Sequence, residues 1–370
     1  MSENACRACR GRTGDLVLDL GLQPACDYFP SRDEPGPDPA YPLQMWLCAD
    51  CGLAQLAADP TTPEEARGTE PAALTAQAAD AVSRVAAAGL LAGRATAAEY
   101  GSPHGGSWLG LLAARGLTPV AGDQPADVVV DCFGMMHARA QAAALTSRAA
   151  RMKDGGMLLL QYHSLSAIVR QGQWNALRHG HYAYYSTTAL VTMLAAAGLR
   201  ARTAWSFDLY GGTVLLAAHR AGEDPAGPDE SVRGLLADDA AAGVRDPRVL
   251  AGLQRDCQVK AESLRTWLSA QSEAGRCVLG YGAASRAVAL LRRAEVDSRL
   301  LPAVVDASPR KQGLRMPGTD IPIVGPAELT ARKPGAVLLF VADLLAEVTA
   351  CHPEVEAAGG RWIDADAVSF

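Results

Sequence analysis

Two groups of side chains in this sequence are of types that do chemistry, at spacings that let them act together. The first is Cys6-x2-Cys9 and Cys48-x2-Cys51, two C-x2-C pairs separated by 38 residues. A C-x2-C turn aims two thiolates at one ion, and two such turns complete a tetrahedral S4 shell suited to zinc. With thiolates at all four corners no position is left for a reactive water, so the spacing predicts structural rather than catalytic zinc. The rival arrangement is a pair of disulfides. The other five cysteines, Cys26, Cys132, Cys257, Cys277 and Cys351, show no pairing pattern and read as small buried hydrophobes.

The second group is Arg178-His179-Gly180-His181-Tyr182-Ala183-Tyr184-Tyr185-Ser186, which packs two of the seven histidines and three of the nine tyrosines into one segment. Histidine transfers protons near neutral pH, and a phenol can donate to an oxyanion. The plainer reading is a half-buried aromatic strand with solvated histidines. His137 follows the apolar run 127–131, at the end of a strand where open α/β sheets bind ligands. A histidine satisfied within the fold fits that position equally well.

Two glycine turns could hold phosphate or a cofactor. Gly280-Tyr281-Gly282-Ala283-Ala284-Ser285-Arg286 follows a strand and precedes the apolar helix 287–292, with Asp306 ending the next strand. There, backbone N–H groups and a helix N-terminus face a bound anion. With no third glycine the turn also reads as a plain strand–helix connection. Glu99-Tyr100-Gly101-Ser102-Pro103-His104-Gly105-Gly106 is a second glycine cluster, readable either as a methyltransferase cofactor loop or as an ordinary one.

The elements that must position these groups divide the chain into four spans. Residues 1–57 form a small proline-rich module with short strands at 16–18 and 45–47, too small to fold without its metal staple. Residues 58–219 begin with an alanine-rich helix, mainly 71–91, and continue as α/β. Their signals are a helix at 107–115, strands at 128–130, 157–160 and 214–218, and a helix at 187–197 closed by Gly198. The stretch 94–98 is a poor strand. Residues 220–272 read as a loose linker to about 245, carrying Gly222, Pro225, Gly227 and Pro228, then a long amphipathic helix. Residues 273–370 form a second α/β unit with strands at 277–280, 303–306 and 336–341. The fold class is α/β: a zinc module, a shortened Rossmann-like middle fold and a Rossmann-like C-terminal domain.

The 370 residues are 49% hydrophobic and 20% charged, with net charge −6. That is a globular balance whose slight acidity argues against nucleic acid or anionic membrane as partner. No apolar run reaches the length of a membrane span. The N-terminal residues lack a secretory pattern, and nine cysteines with no disulfide pattern fit a reducing cytoplasm.

These pieces together resemble the bacterial sugar C-methyltransferase family, over nearly the whole chain. The resemblance rests on the cysteine pairs with Asp19-Leu20-Gly21-Leu22-Gln23-Pro24 and Gly52-Leu53-Ala54-Gln55-Leu56. It rests equally on the 280–286 turn, on Val305-Asp306-x2-Pro309-x-Lys311-Gln312-Gly313, and on Pro317-Gly318-Thr319-x-Ile321-Pro322-Ile323. It implies structural zinc, S-adenosylmethionine (SAM) as methyl donor, and a nucleotide-linked 4-keto-deoxysugar as substrate, in deoxysugar and antibiotic biosynthesis. Gly282, Ser285, Arg286, Lys311 and Tyr182 become candidate substrate contacts, and Glu99, Gly101, Gly105 and Asp123 candidate SAM contacts. His181 aligns with the family's proposed base, and His137 with a second retained histidine. His179, Tyr184 and Arg178 complete the catalytic candidates.

The sequence departs from the family in the middle. The Tyr-His-Glu-His core reads Arg178-His179-Gly180-His181, and an Asn-x3-His reads Phe133-x3-His137. Residues 64–77 carry no aromatic where the family is tyrosine-rich, and the run from Leu117 to Val129 leaves no room for one βα unit. Three functions stay open: a divergent SAM-dependent C-methyltransferase, a SAM-independent enolising enzyme on a nucleotide ketosugar, and a non-catalytic sugar-nucleotide or partner-binding relative. The oligomeric state is open.

Overall fold

The computed structural model describes residues 5–34, 36–61, 70–101, 106–222 and 227–368. In the N-terminal module, β1 (Gly14–Pro24), β2 (Ala40–Cys48) and β3 (Ala54–Leu56) form an antiparallel meander, with Gly14 paired to Cys48 and Met45 to Leu56. The strands are longer than the short apolar runs that announce them. Polar residues on the solvent side pair as readily as apolar ones, and only the buried face shows in hydropathy. Along β2 the buried side chains go alternately to two cores. Trp46 and Cys48 join the core of the middle unit, and Met45 and Leu47 join that of the C-terminal unit. The small sheet is therefore a wall between two larger bodies.

The middle unit begins with α1 (Ala72–Ala87), whose Leu74, Ala78, Ala81, Val82 and Val85 repeat at helical spacing and are buried. It continues through β4 (Thr96–Tyr100), α2 (Leu109–Ala113), β5 (Thr118–Pro119), β6 (Ala126–Cys132), α3 (Gln141–Ala150), β7 (Met152–His163) and α4 (Leu165–Gln171). Next, β8 (Ala183–Tyr184) leaves the unit and pairs with β3. Then α5 (Thr187–Ala196), β9 (Leu199–Phe207) and β10 (Thr213–Arg220) close the unit. The sheet order is β5-β4-β6-β7-β10-β9, with β10 antiparallel to both neighbours. The stretch that reads as a poor strand is β4, which pairs on both sides. Alanines at 97 and 98 are fully buried there, so the sheet imposes a conformation that alanine does not favour by itself. The chain passes from β5 to β6 through residues 120–125 with no helix or strand between, as the missing βα unit requires.

Where a loose linker is expected, residues 230–242 fold as α6 (Glu230–Ala242). Asp229 caps it through bonds to the Ser231 and Val232 amides, and Gly243 ends it in the left-handed conformation. The glycines and prolines that suggest a linker lie before that cap. A single turn, α7 (Pro247–Leu250), then leads into α8 (Gly252–Glu273). The last unit contains β11 (Val278–Tyr281), α9 (Ser285–Arg293), β12 (Val304–Val305), β13 (Ile323–Val324) and β14 (Ala336–Leu339), and ends with β15 (Trp362–Asp364). All pairs are parallel, in the order β13-β12-β11-β14-β15. The order reverses at β11, so the crevice above its C-terminal end is the expected ligand position.

The N-terminal module is fastened to this last unit by charge as well as by apolar contact. Arg315 forms a two-armed pair with Asp38, with Nη1–Oδ2 at 2.7 Å and Nη2–Oδ1 at 2.6 Å. Both side chains are about 5% exposed (6% and 5%). Arg315 also donates to the Glu34 and Thr319 carbonyls, and the Gly318 amide donates to Asp38.

Candidate functional site

The four cysteines converge. Their Sγ atoms all lie within 4.8 Å of one another, with Cys6–Cys51 at 3.5 Å and Cys9–Cys48 at 3.6 Å. Sulfurs about 2.3 Å from one tetrahedral zinc stand roughly 3.8 Å apart, so the donor set fits that ion. Cys48 and Cys51 flank the β2–β3 turn, where Gly52 adopts φ +76°. No disulfide joins any of the nine cysteines; Cys26, Cys132 and Cys257 are buried, Cys277 is half-buried and Cys351 exposed.

A second convergence lies between the middle and C-terminal units. His137 and His181 meet edge to face with ring centroids 4.5 Å apart. The Tyr182 amide donates to the Met136 carbonyl at 2.7 Å, which ties the turn carrying His137 to the loop carrying His181. Asp59, buried beside the N-terminal module, accepts the Gly180 amide at 2.7 Å and fixes that loop from below. Arg178 Nε donates to His181 Nε2 at 2.8 Å, and its Nη1 donates to Ser285 Oγ, the first residue of α9, at 2.6 Å. Tyr184 is buried, and its hydroxyl accepts the Arg178 amide at 3.0 Å. Arg286 follows Ser285; burial first and Arg178 second press its guanidinium below its ordinary value.

Burial and a neighbouring guanidinium likewise set two of the histidines. Burial, then Arg178, lowers His137 to about 4, and burial, then Arg286, lowers His163 to about 3. Both are neutral at pH 7. The two guanidiniums gathered there, with neutral histidines beside them, attract an anion. While Arg178 donates to His181 Nε2 that nitrogen carries no proton, and its lone pair is engaged.

Other sequence candidates lie elsewhere. His179 is buried against the N-terminal module, its Nε2 3.2 Å from the Pro42 carbonyl. Tyr182 is stacked between Arg7 and Arg139, at 4.9 and 4.7 Å. Lys311 binds the Ala283 carbonyl at 2.8 Å and pairs with Asp306, which itself accepts the Ala283 and Ser308 amides. Together they brace the glycine turn, where Gly282 has φ +86°.

At the ends of β4 and β6, Glu99 accepts from Ser107 Oγ at 2.6 Å and from the Trp108 amide at 2.8 Å. Gly101 and Asp123 are exposed, and Gly105 lies outside the described residues. Gln77 of α1 is buried and accepts from Gln161, whose own carbonyl oxygen receives the Cys132 thiol. Gln77 Nε2 has no partner among the described residues. This set, an acid and an unsatisfied amide donor near the exposed Gly101, fits the amino-acid end of SAM. Toward the edge of the sheet, Tyr100 is flanked by Arg148 and Arg151 at 4.1 and 5.3 Å. Arg151 donates to the Glu99, Val120 and Gln124 carbonyls, satisfying backbone left where the absent βα unit would pack. Arg148 pairs with the fully buried Asp131 at 2.5 Å. Sequence reading missed Asp59, Asp131, Arg148 and Gln77; polar residues scattered on separate elements carry no motif.

Known proteins match each unit in turn. Residues 6–65 match the family model described as "Putative zinc binding domain", residues 59–204 "Methyltransferase domain", and residues 208–365 "C-methyltransferase C-terminal domain". The chain is similar to the C-methyltransferase NovU of Streptomyces niveus, 25% identical over 223 residues. That alignment covers 59% of this chain and 52% of NovU, so the chain spans about half the length of that relative. A solved O-methyltransferase family protein from Burkholderia thailandensis overlaps 40% of this chain and 57% of its own, at 17% identity and TM-score 0.32. The magnesium protoporphyrin IX methyltransferase of Synechocystis with bound S-adenosylhomocysteine overlaps 40% of this chain and 84% of its own, at 14% identity and TM-score 0.29.

Proposed function

We propose that this chain, which belongs to the C-methyltransferase family built from a zinc-binding, a methyltransferase and a C-methyltransferase C-terminal domain, methylates the carbon beside the ketone of a nucleotide-linked 4-keto-deoxysugar. The observation that carries this reading is the meeting of His181, His137 and Arg178 with Ser285 and Arg286 across the crevice. The sugar-nucleotide diphosphate sits against Arg178, Arg286 and the first turn of α9. Arg178 is held at Ser285 and at His181 together, so a diphosphate that draws its guanidinium toward α9 releases the His181 lone pair. His181 then takes the proton beside the ketone, and the electron pair moves to the ketone oxygen. The edge contact from neutral His137 keeps the His181 ring oriented.

SAM, when bound, supplies an electrophilic methyl group. Glu99, Gly101, Gln77 and Asp123 are the residues that would hold it. Zinc stays outside the reaction, since its four thiolates fill the shell and serve to fold the wall between the two units.

A second reading, enolisation without methyl transfer, draws support from the Tyr100–Arg148–Arg151 stack on the adenosine side. Calorimetric titration with SAM, S-adenosylhomocysteine and thymidine diphosphate separates the two. Micromolar binding of all three is expected. Thymidine diphosphate binding without either adenosyl compound refutes methyl transfer and leaves enolisation.

A further inference from the structure

Two aromatic residues at the crevice hold left-handed backbone conformations. Phe133, just after β6, has φ +59°, and Tyr210, between β9 and β10, has φ +56°. Their rings meet edge-on with centroids 5.9 Å apart. For an L-residue this region is strained, and it persists only where surroundings over-determine it. The turn does not need the strain. Gly211 and Gly212 follow at φ +78° and +151°, and a third glycine or an asparagine at 210 would relieve it.

Tyr210 is nonetheless anchored from three directions. Its amide donates to Asp343 of the C-terminal unit at 2.9 Å, and its carbonyl accepts from Gln173 at 3.3 Å. Gln171 binds the neighbouring Gly211 carbonyl. The Arg286 guanidinium lies 5.7 Å from the Tyr210 ring centroid. The phenol therefore stands between the end of β6 and α9, on the wall shared by His163, Arg178 and Arg286. Burial raises its pKa above the ordinary value, which keeps it protonated as a donor.

Of the neighbouring tyrosines, Tyr182 has its ring stacked between Arg7 of the N-terminal module and Arg139, its buried hydroxyl without a partner among the described residues, and the Tyr184 hydroxyl is engaged by the Arg178 backbone. We propose that Tyr210 is a catalytic residue whose hydroxyl donates to the ketone oxygen of the sugar as it becomes an enolate. The proposal rests on the ketosugar reading above. The proton leaving carbon goes to His181, the electron pair moves to the ketone oxygen, and the Tyr210 O–H stabilises that oxygen without giving up its proton.

The test is solvent deuterium exchange into the carbon beside the ketone of a thymidine-diphosphate-linked 4-keto-6-deoxyhexose. It uses the full chain with S-adenosylhomocysteine present and mass-spectrometric readout. Tyr210→Phe keeps the ring and removes the donor. Exchange is expected to fall about 100- to 1000-fold, with thymidine diphosphate affinity unchanged. Exchange within about threefold of wild type, far from the loss of an oxyanion donor, overturns the proposal while the ketosugar reading stands. A wild-type protein that binds the sugar nucleotide and exchanges nothing overturns both. Should Tyr210→Phe fail to fold, 3,5-difluorotyrosine at 210 lowers the phenol pKa and must shift the alkaline limb of the exchange profile toward lower pH. An unmoved limb overturns the proposal.

Discussion

Removing Arg315 should undock the N-terminal module from the C-terminal unit. In Arg315→Met the apolar stem is kept and the fork is lost. Asp38 then stays buried with the Gly318 amide, 2.6 Å away, in place of three donors. Two further carbonyls, of Glu34 and Thr319, lose the same partner. Breaking a buried ion pair from one side costs about 3–5 kcal/mol, because the remaining charge has nothing to offset its desolvation. At 1.4 kcal/mol per decade that is about 100- to 4000-fold in the opening equilibrium. Hydrogen exchange followed over residues 30–40 and 313–320 reads this directly, as amide exchange faster by that factor. The Asp38→Asn/Arg315→Met pair should recover part of the loss, since no charge is then stranded.

The wild-type pair also has a pH signature. Burial opposes the Asp38 charge, but Arg315 and the Gly318 amide more than compensate, so its carboxyl sits below the usual range. A carboxyl depressed in the folded state contributes stability that is present above its unfolded value, about 3.9, and lost as pH falls through the folded one. Exchange in Arg315→Met within about threefold of wild type would refute the reasoning, since under 1 kcal/mol is the worth of an exposed pair.

Three further outcomes follow from the same geometry. Elemental analysis should find one zinc per chain, and Cys48→Ser or chelation should speed exchange in β1–β3 while leaving the β11–β14 core protected; unchanged β1–β3 exchange counts against a structural metal. His181→Asn should lower kcat at least about 100-fold with KM little changed, and retained activity removes His181 from the role of base. His137 and His163 are held well below 6.5 in the folded chain, so the unfolded chain binds more protons between about 6.5 and 4. Stability must therefore rise with pH across that window and be lost as the pH is lowered through it. The slope of urea midpoint against pH should flatten in His137→Gln, and an unaltered slope assigns the effect elsewhere.

How much of this was legible before the structure varied with the kind of signal. The zinc shell was, because a C-x2-C turn is local and two of them name one ion. The glycine turn at 280–282 was, because Gly282 must take a left-handed φ that glycine adopts freely. β4 was not, since Ala97 and Ala98 carry no strand preference and are made a strand by β5 and β6 on either side. α6 was hidden by the glycines and prolines ahead of its Asp229 cap. Within one nine-residue segment the residues divide. Arg178 and His181 turn toward Ser285 and His137, Tyr184 is buried in the core, and His179 and Tyr182 turn to the N-terminal module. Sequence adjacency cannot separate them, because the positive φ at Gly180 turns the chain between them.

The sequence alone determined the order of units, the four clustered thiols, the shortened middle sheet and the histidine-rich segment, each written as spacing within a short window. Tertiary structure decided which of those groups meet. Arg178 reaches Ser285 across 107 positions, Tyr210 is pinned by Asp343 across 133, and Asp38 finds Arg315 across 277. The physical reason is that a lone arginine, aspartate or tyrosine acquires its role from the charge and burial of its partners, and those are brought by other elements of the fold.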